Sequence, residues 1–145
     1  MSKKTFDAGG MTIQFLIEGA ETGEAIPVFR CDFAAGARIP LAHCHDGFDE
    51  TVVVLDGEIT MVVDGTPHAL GTGESLHIPR GVVHGFAVEE SASVLAISTP
   101  GIFGSGYFRD MEDAMKSMGD GPPDRRVFAQ IMVRHGLTPV VPAAA

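Results

Sequence analysis

Apolar and polar residues alternate along most of this chain with a period of two. Between Val28 and Phe33, Phe29, Cys31 and Phe33 fall in one phase and Arg30 and Asp32 in the other. Successive strand side chains point to opposite faces, so this is a half-buried strand. A looser alternation over residues 11–19, through Ile13, Phe15 and Ile17, predicts another. Ile39, Leu41, His43 and His45 share one parity, which turns Cys44 to the other face. Glu50, Val52 and Val54 share a face on the next run, and Ile59, Met61 and Val63 alternate with Glu58 and Thr60. Further strands are read at Pro67 to Leu70, at Ser75 to Ile78, along His84, Phe86 and Val88, and at Val94 to Ser98. Asp56-Gly57 and Asp64-Gly65 carry hairpin chemistry, and Pro79-Arg80-Gly81 reads as a tight turn. Short strands recur about every ten residues, the pattern of a sandwich or barrel.

The pattern changes near residue 108. Asp110 to Met118 predicts a short helix stopped by Gly119. A second follows Pro122-Pro123, with Asp124 as its cap and Gly136 as its stop. Val127 with Ile131, and Phe128 with Met132, make an apolar face at helical spacing. The expected organisation is a β-barrel domain over residues 1–107 and a helical extension over 108–145 packed on it. The final stretch, Val141-Pro-Ala-Ala-Ala, reads as loose.

Composition narrows the function classes. Hydrophobic residues make up 45% of 145, enough for one well-packed core. Ten basic residues against 19 acidic ones leave a net charge of −9, which opposes binding to nucleic acid or to an anionic membrane surface. Two cysteines, Cys31 and Cys44, do not make a disulfide framework, and no leader-like apolar segment follows the N-terminal lysines. A cytoplasmic protein is the expectation.

The chemistry lies in two stretches. The first contains His43, His45 and Glu50. The histidines sit two apart on one face, about 7 Å apart along a strand, and a four-residue loop lets the chain return to bring Glu50 alongside. The second is Pro79-x-Gly81-x-x-His84, a turn that delivers a histidine in strand phase. Three imidazoles and a carboxylate suit one divalent transition-metal ion, be it iron, manganese, nickel, cobalt, copper or zinc.

These stretches resemble the two motifs of the cupins. Gly36, His43, His45, Glu50 and Gly57 match the first, with one extra residue between Gly36 and His43. Gly73, Pro79, Gly81 and His84 match the second, whose usual final asparagine is Val88 here. The resemblance implies an all-β double-stranded β-helix, the cupin or jelly-roll barrel, with a short C-terminal helical tail similar to that of small quercetinase-like cupins. It also implies that His43, His45, Glu50 and His84 are the metal ligands, with positions on the ion left open, and that the chain pairs as a homodimer. Ile39, Leu41, Val52, Val54, Met61, Phe86 and Val88 are the expected pocket residues. An apolar pocket of that kind takes a small neutral or aromatic molecule.

The expected activity is that of a dioxygenase-type enzyme. Its substrate would be an enol, hydroxy-ketone or aromatic molecule chelated to the metal, with Glu50 as general base. An oxygen-independent isomerase, lyase or cyclase, and a non-enzymatic binding protein, are the alternatives. His68 and His77 belong either to the pocket or to the surface. His135 is read as a charge at a helix C-terminus, and Tyr107 either lines the pocket or packs beside it.

Overall fold

The computed structural model describes residues 4–37, 41–121 and 124–140. Arg38, Ile39, Pro122, Pro123 and residues 141–145, including the expected loose end, lie outside them. The described chain forms eleven strands: β1 (Lys4–Asp7), β2 (Met11–Ile17), β3 (Val28–Phe33), β4 (His43–His45), β5 (Asp49–Asp56), β6 (Glu58–Val63), β7 (Thr66–Gly71), β8 (Ser75–Ile78), β9 (His84–Ala87), β10 (Ala92–Thr99) and β11 (Leu137–Pro139). Helices α1 (Gly106–Met118) and α2 (Arg125–Arg134) lie between β10 and β11.

Two antiparallel sheets face each other, in the orders β1-β2-β3-β10-β5-β8 and β11-β4-β9-β6-β7. This is the expected jelly-roll barrel with two short helices. The period-two pattern sets the inner face. Phe29, Cys31 and Phe33 of β3, Val52 and Val54 of β5, and Ala92, Val94 and Ala96 of β10 are all buried. Among the described residues no helix is long and apolar enough to cross a membrane.

Three features differ from the expected elements. Asp56-Gly57 is not a hairpin, because β5 and β6 belong to different sheets and the chain crosses between them there. Gly57 has φ +81°, and a Cβ on it would meet the Ser91 carbonyl at 2.6 Å. Glycine is therefore demanded at this position by a close backbone approach rather than by a two-residue turn. Asp64-Gly65 does close a hairpin, with Val63 paired to Thr66 and both turn residues at positive φ.

Helix α1 begins at Gly106, four residues before the expected start. Tyr107, Phe108 and Met111 are buried along its apolar face, and this burial outweighs the weak helix propensity of Gly106. The third difference is a pair of strands, β1 and β11, that the alternation did not reveal. β11 adds itself to β4, pairing Leu137 with His45 and Pro139 with His43.

The second helix follows its sequence signals. The Asp124 carboxylate accepts from the Arg126 N–H at 3.0 Å, and Gly136 at φ +82° ends the segment. Phe128, Ile131 and Met132 of this helix are buried. A continuous set of aromatic rings joins tail to barrel. Phe15 stacks on Phe29 at 4.9 Å between centroids, and Phe108 lies 5.5 Å from Phe29 and 5.8 Å from Phe103.

If the tail and barrel share this core, they unfold together. Phe128→Ala, at a fully buried position, is expected to cost about 3 kcal/mol and to lower the midpoint of one single denaturation transition followed by circular dichroism. Two separated transitions would show that the tail folds on its own.

Candidate metal centre

The site is assembled from both sheets. His43 and His45 come from β4, and His84, directly opposite His43 in the register, comes from β9. Glu50 enters from β5 in the facing sheet. The ring centroids of the three histidines lie 5.2, 4.7 and 4.6 Å from one another. One ring nitrogen of each falls within 4.8 Å of those of the other two, and all three residues are buried. Glu50 Oε2 lies 3.5 Å from His45 Nε2 and 4.0 Å from His84 Nε2. These gaps are longer than hydrogen bonds, as befits groups converging on a shared point.

Backbone carbonyls orient two of the rings. His43 Nδ1 donates to the Leu41 carbonyl at 3.2 Å, and His84 Nδ1 donates to the Val82 carbonyl at 3.0 Å. A carbonyl oxygen has no proton to give, so the ring hydrogen sits on Nδ1 and Nε2 keeps its lone pair. That is the arrangement of a metal-ligating imidazole. His45 is held differently, stacked on Phe48 at 4.4 Å and 16°. Its buried Nδ1 has no hydrogen-bond partner among the described residues. The turn at Pro79-Arg80-Gly81 ties β4 to the approach to β9: Gly81 N–H donates to the His45 carbonyl at 2.8 Å. Gly81 has φ +80°, a conformation a side chain would strain. Asp49 fixes the same turn, accepting from the Arg80 backbone N–H at 3.0 Å and from its Nε at 2.9 Å.

Burial shifts all four groups toward neutrality. Desolvation pushes the His43 ring down to about 4, helped by the nearby His84. Desolvation and the two neighbouring histidines push His45 down to about 2. His84 is lowered by burial, against a raising hydrogen bond to Val82. Desolvation alone raises the Glu50 carboxyl to about 7, although 15% of its side chain still borders open space. That space is the cavity it lines. At neutral pH the imidazoles are therefore already in the form a cation binds, and the donor set fits a mixed imidazole–carboxylate metal.

The four groups open into a cavity of about 710 Å³. Val52, Met61 and Phe86, three of the expected pocket residues, line it. Leu41, Val54 and Val88 are buried but stand off its wall. Leu41 serves through its carbonyl on His43. Val88 lies past the end of β9, where its backbone bonds to Gly36 and Ala37. Ile39 lies outside the described residues. His68 is half-buried and His77 exposed, and neither reaches the cavity. His77 pairs instead with Thr51, 3.0 Å from Nδ1 to Oγ1. Cys44 turns away from the ligands toward Asp46. His135 caps α2 and meets the Asp110 carboxylate at 2.7 Å.

The parity reading missed the outer wall. Phe103, Tyr107, Phe108 and Met111, with Met115 and Phe128, close the cavity from the tail side. Their signal was the run of aromatics and methionines at helical spacing through residues 103–118.

Residues 29–99 match the family model described as the cupin domain. A 72-residue segment, 49% of this chain, is 32% identical to quercetin 2,3-dioxygenase of Bacillus subtilis, and it spans only 21% of that enzyme. Among solved structures, KdgF from Halomonas sp. superposes with a TM-score of 0.60 at 19% identity, over 67% of this chain and 86% of that one. The polyketide cyclase RemF from Streptomyces resistomycificus superposes at 0.59 and 20% identity, over 68% and 74%. At these identities the two structures share the fold with this chain.

The raised Glu50 carboxyl has a consequence for the metal-free protein. Its folded value of about 7 stands above the unfolded 4.5. The folded state therefore holds the proton longer, and stability falls as pH rises from 4.5 through 7. By pH 8 the penalty is on the order of 3 kcal/mol. Glu50→Gln removes it. In urea titrations of metal-free protein the variant is expected to be about 2–3 kcal/mol more stable than the parent at pH 8 and nearly equal to it at pH 4.5. The same difference at both pH values would sink this account.

Proposed function

Because this chain belongs to the cupin superfamily and focuses three neutral imidazoles and a carboxylate on one point, we propose that it is a metal-dependent enzyme of the dioxygenase type. Its substrate class is small enols, hydroxy-ketones or hydroxylated aromatics. The observation that carries the reading is the pair of Nδ1–H bonds to the Leu41 and Val82 carbonyls, which leave the His43 and His84 Nε2 lone pairs free, that of His84 4.0 Å from Glu50 Oε2. The likeness of one segment to quercetin 2,3-dioxygenase supports the oxygenase class.

His43, His45, His84 and Glu50 would hold one divalent transition-metal ion. Bound there, the ion supplies Lewis acidity and a template for chelating oxygens. The chain's residues do the rest. The apolar walls, from Val52 to Phe108, exclude water and hold a flat molecule against the site. Glu50 is the carboxylate placed to accept a hydroxyl proton from that molecule at its Oε2 and to return it. Phe48 fixes the plane of His45 by stacking.

The same Glu50 carboxyl supports a second reading. Proton transfer by a carboxylate needs no oxidant, so an isomerase, lyase or cyclase acting on an enolisable substrate would use the same residues.

Protein purified without added metal, then reconstituted, is expected to hold about one ion per chain by elemental analysis. His84→Ala should weaken binding beyond the roughly 10–100-fold typical of removing a group that only supports a ligand. Oxygen uptake with a panel of enols, flavonols and diketones is expected to match substrate loss. Glu50→Gln should slow turnover by roughly 10²–10⁴-fold. Turnover that continues unchanged without oxygen selects the second reading, and failure to bind any ion stoichiometrically removes both.

A further inference from the structure

One buried polar group on the cavity wall is unaccounted for. Tyr107 stands in the first turn of α1 with 4% of its surface exposed, and it lines the cavity. Its ring is wedged against Phe103 at 5.3 Å, Phe108 at 5.0 Å and His135 at 5.8 Å. Among the described residues its hydroxyl makes no hydrogen bond. A tyrosine hydroxyl that borders a cavity without a protein partner is free to bond a molecule held there.

The ring contacts connect Tyr107 to the metal end of the cavity. Phe103 touches Tyr107 on one side and lies 6.3 Å from the His45 ring, nearly parallel to it, on the other. Burial raises the phenol, and the Glu50 carboxylate raises it further, so the phenol keeps its proton near neutral pH. Neighbouring candidates do not serve as well. Ser98 Oγ is buried and also lacks a partner, but it stands off the cavity wall. Cys31 lies on the wall, but a thiol is a weak donor.

We infer that Tyr107 is a specificity-determining residue that donates a hydrogen bond to a carbonyl oxygen of the ligand while Glu50 accepts one from the adjacent hydroxyl. A donor and an acceptor facing one space select a molecule that presents the complementary pair on neighbouring carbons. An α-hydroxy-ketone in its enol form, on a flat apolar frame, has that pattern. The inference rests on the proposed function for the role of Glu50. The donor role of Tyr107 stands without any metal.

The test uses two flavonoid probes under anaerobic conditions, with metal-free and metal-loaded protein. Flavone carries the carbonyl alone, and 3-hydroxyflavone carries carbonyl and hydroxyl. Tyr107→Phe keeps the ring and removes only the hydroxyl. By fluorescence titration it is expected to weaken both probes roughly 3–10-fold, in metal-free as in metal-loaded protein, with metal content unchanged. Glu50→Gln should weaken 3-hydroxyflavone and spare flavone. In the parent protein, with no substitution at all, the carbonyl stretch of bound flavone should shift to lower frequency than in an apolar solvent. Equal binding of both probes by Tyr107→Phe overturns the inference, as does an unshifted carbonyl stretch or failure of the parent to bind either probe. A Tyr107 effect in metal-free protein alongside a failure to bind any metal would leave this inference standing and remove the proposed function.

Discussion

The three-residue strand His43–His45 carries half of the candidate ligands and could not hold its place alone. It sits between β9 on one edge and β11 on the other, so the last described strand is paired to the strand that bears the histidines. Without β11 the histidine strand would be an open sheet edge, with its backbone groups unpaired and its register loosely set. Thr138 Oγ1 donates to Asp46 at 2.6 Å, and Asp46 N–H donates to the Gly136 carbonyl at 2.9 Å, locking the loop that leads to Glu50. The geometry of the site thus depends on a contact between residues some ninety positions apart.

That geometry sets the electrostatics. Removing four titratable groups from water drives each to its neutral form, which lowers the histidines and raises the carboxyl. The imidazoles lose nothing by this, since the neutral ring is the binding form. The carboxyl loses its charge near neutrality, and only a cation beside it restores the balance. A cation held by these groups, as proposed, would therefore stabilise the barrel as it binds.

Parity explains why much of this was legible in the sequence. A strand offers two faces, so His43, His45, Glu50 and His84 had only to fall in the inward phase, and the short loop at 46–49 and the Pro79-x-Gly81 turn gave two of the crossings between them. What could not be read was pairing at long range. Asp56-Gly57 has hairpin letters, yet which sheet each flanking strand joins is decided by partners elsewhere in the chain. β11 is three residues long and contains a proline, too short for any period to show. The pocket wall was half legible for a related reason. Parity tells which residues of a strand face inward but not at what depth, so Leu41 and Val54 were placed on a wall they stand behind, while the aromatic roof came from a helix.

The origin of that roof has a bearing on how such a protein can change. The candidate ligands lie between residues 43 and 84, and the walls facing them from α1 lie between residues 107 and 118. The candidate ligands and the roof of the cavity are therefore written in separate passages of the chain. Substitutions along α1 can redraw which molecules fit without disturbing a ligand, so new substrates are within reach of small steps. The freedom stops at Leu137, where the tail returns to the histidine strand: the roof can be rewritten, but it cannot be discarded.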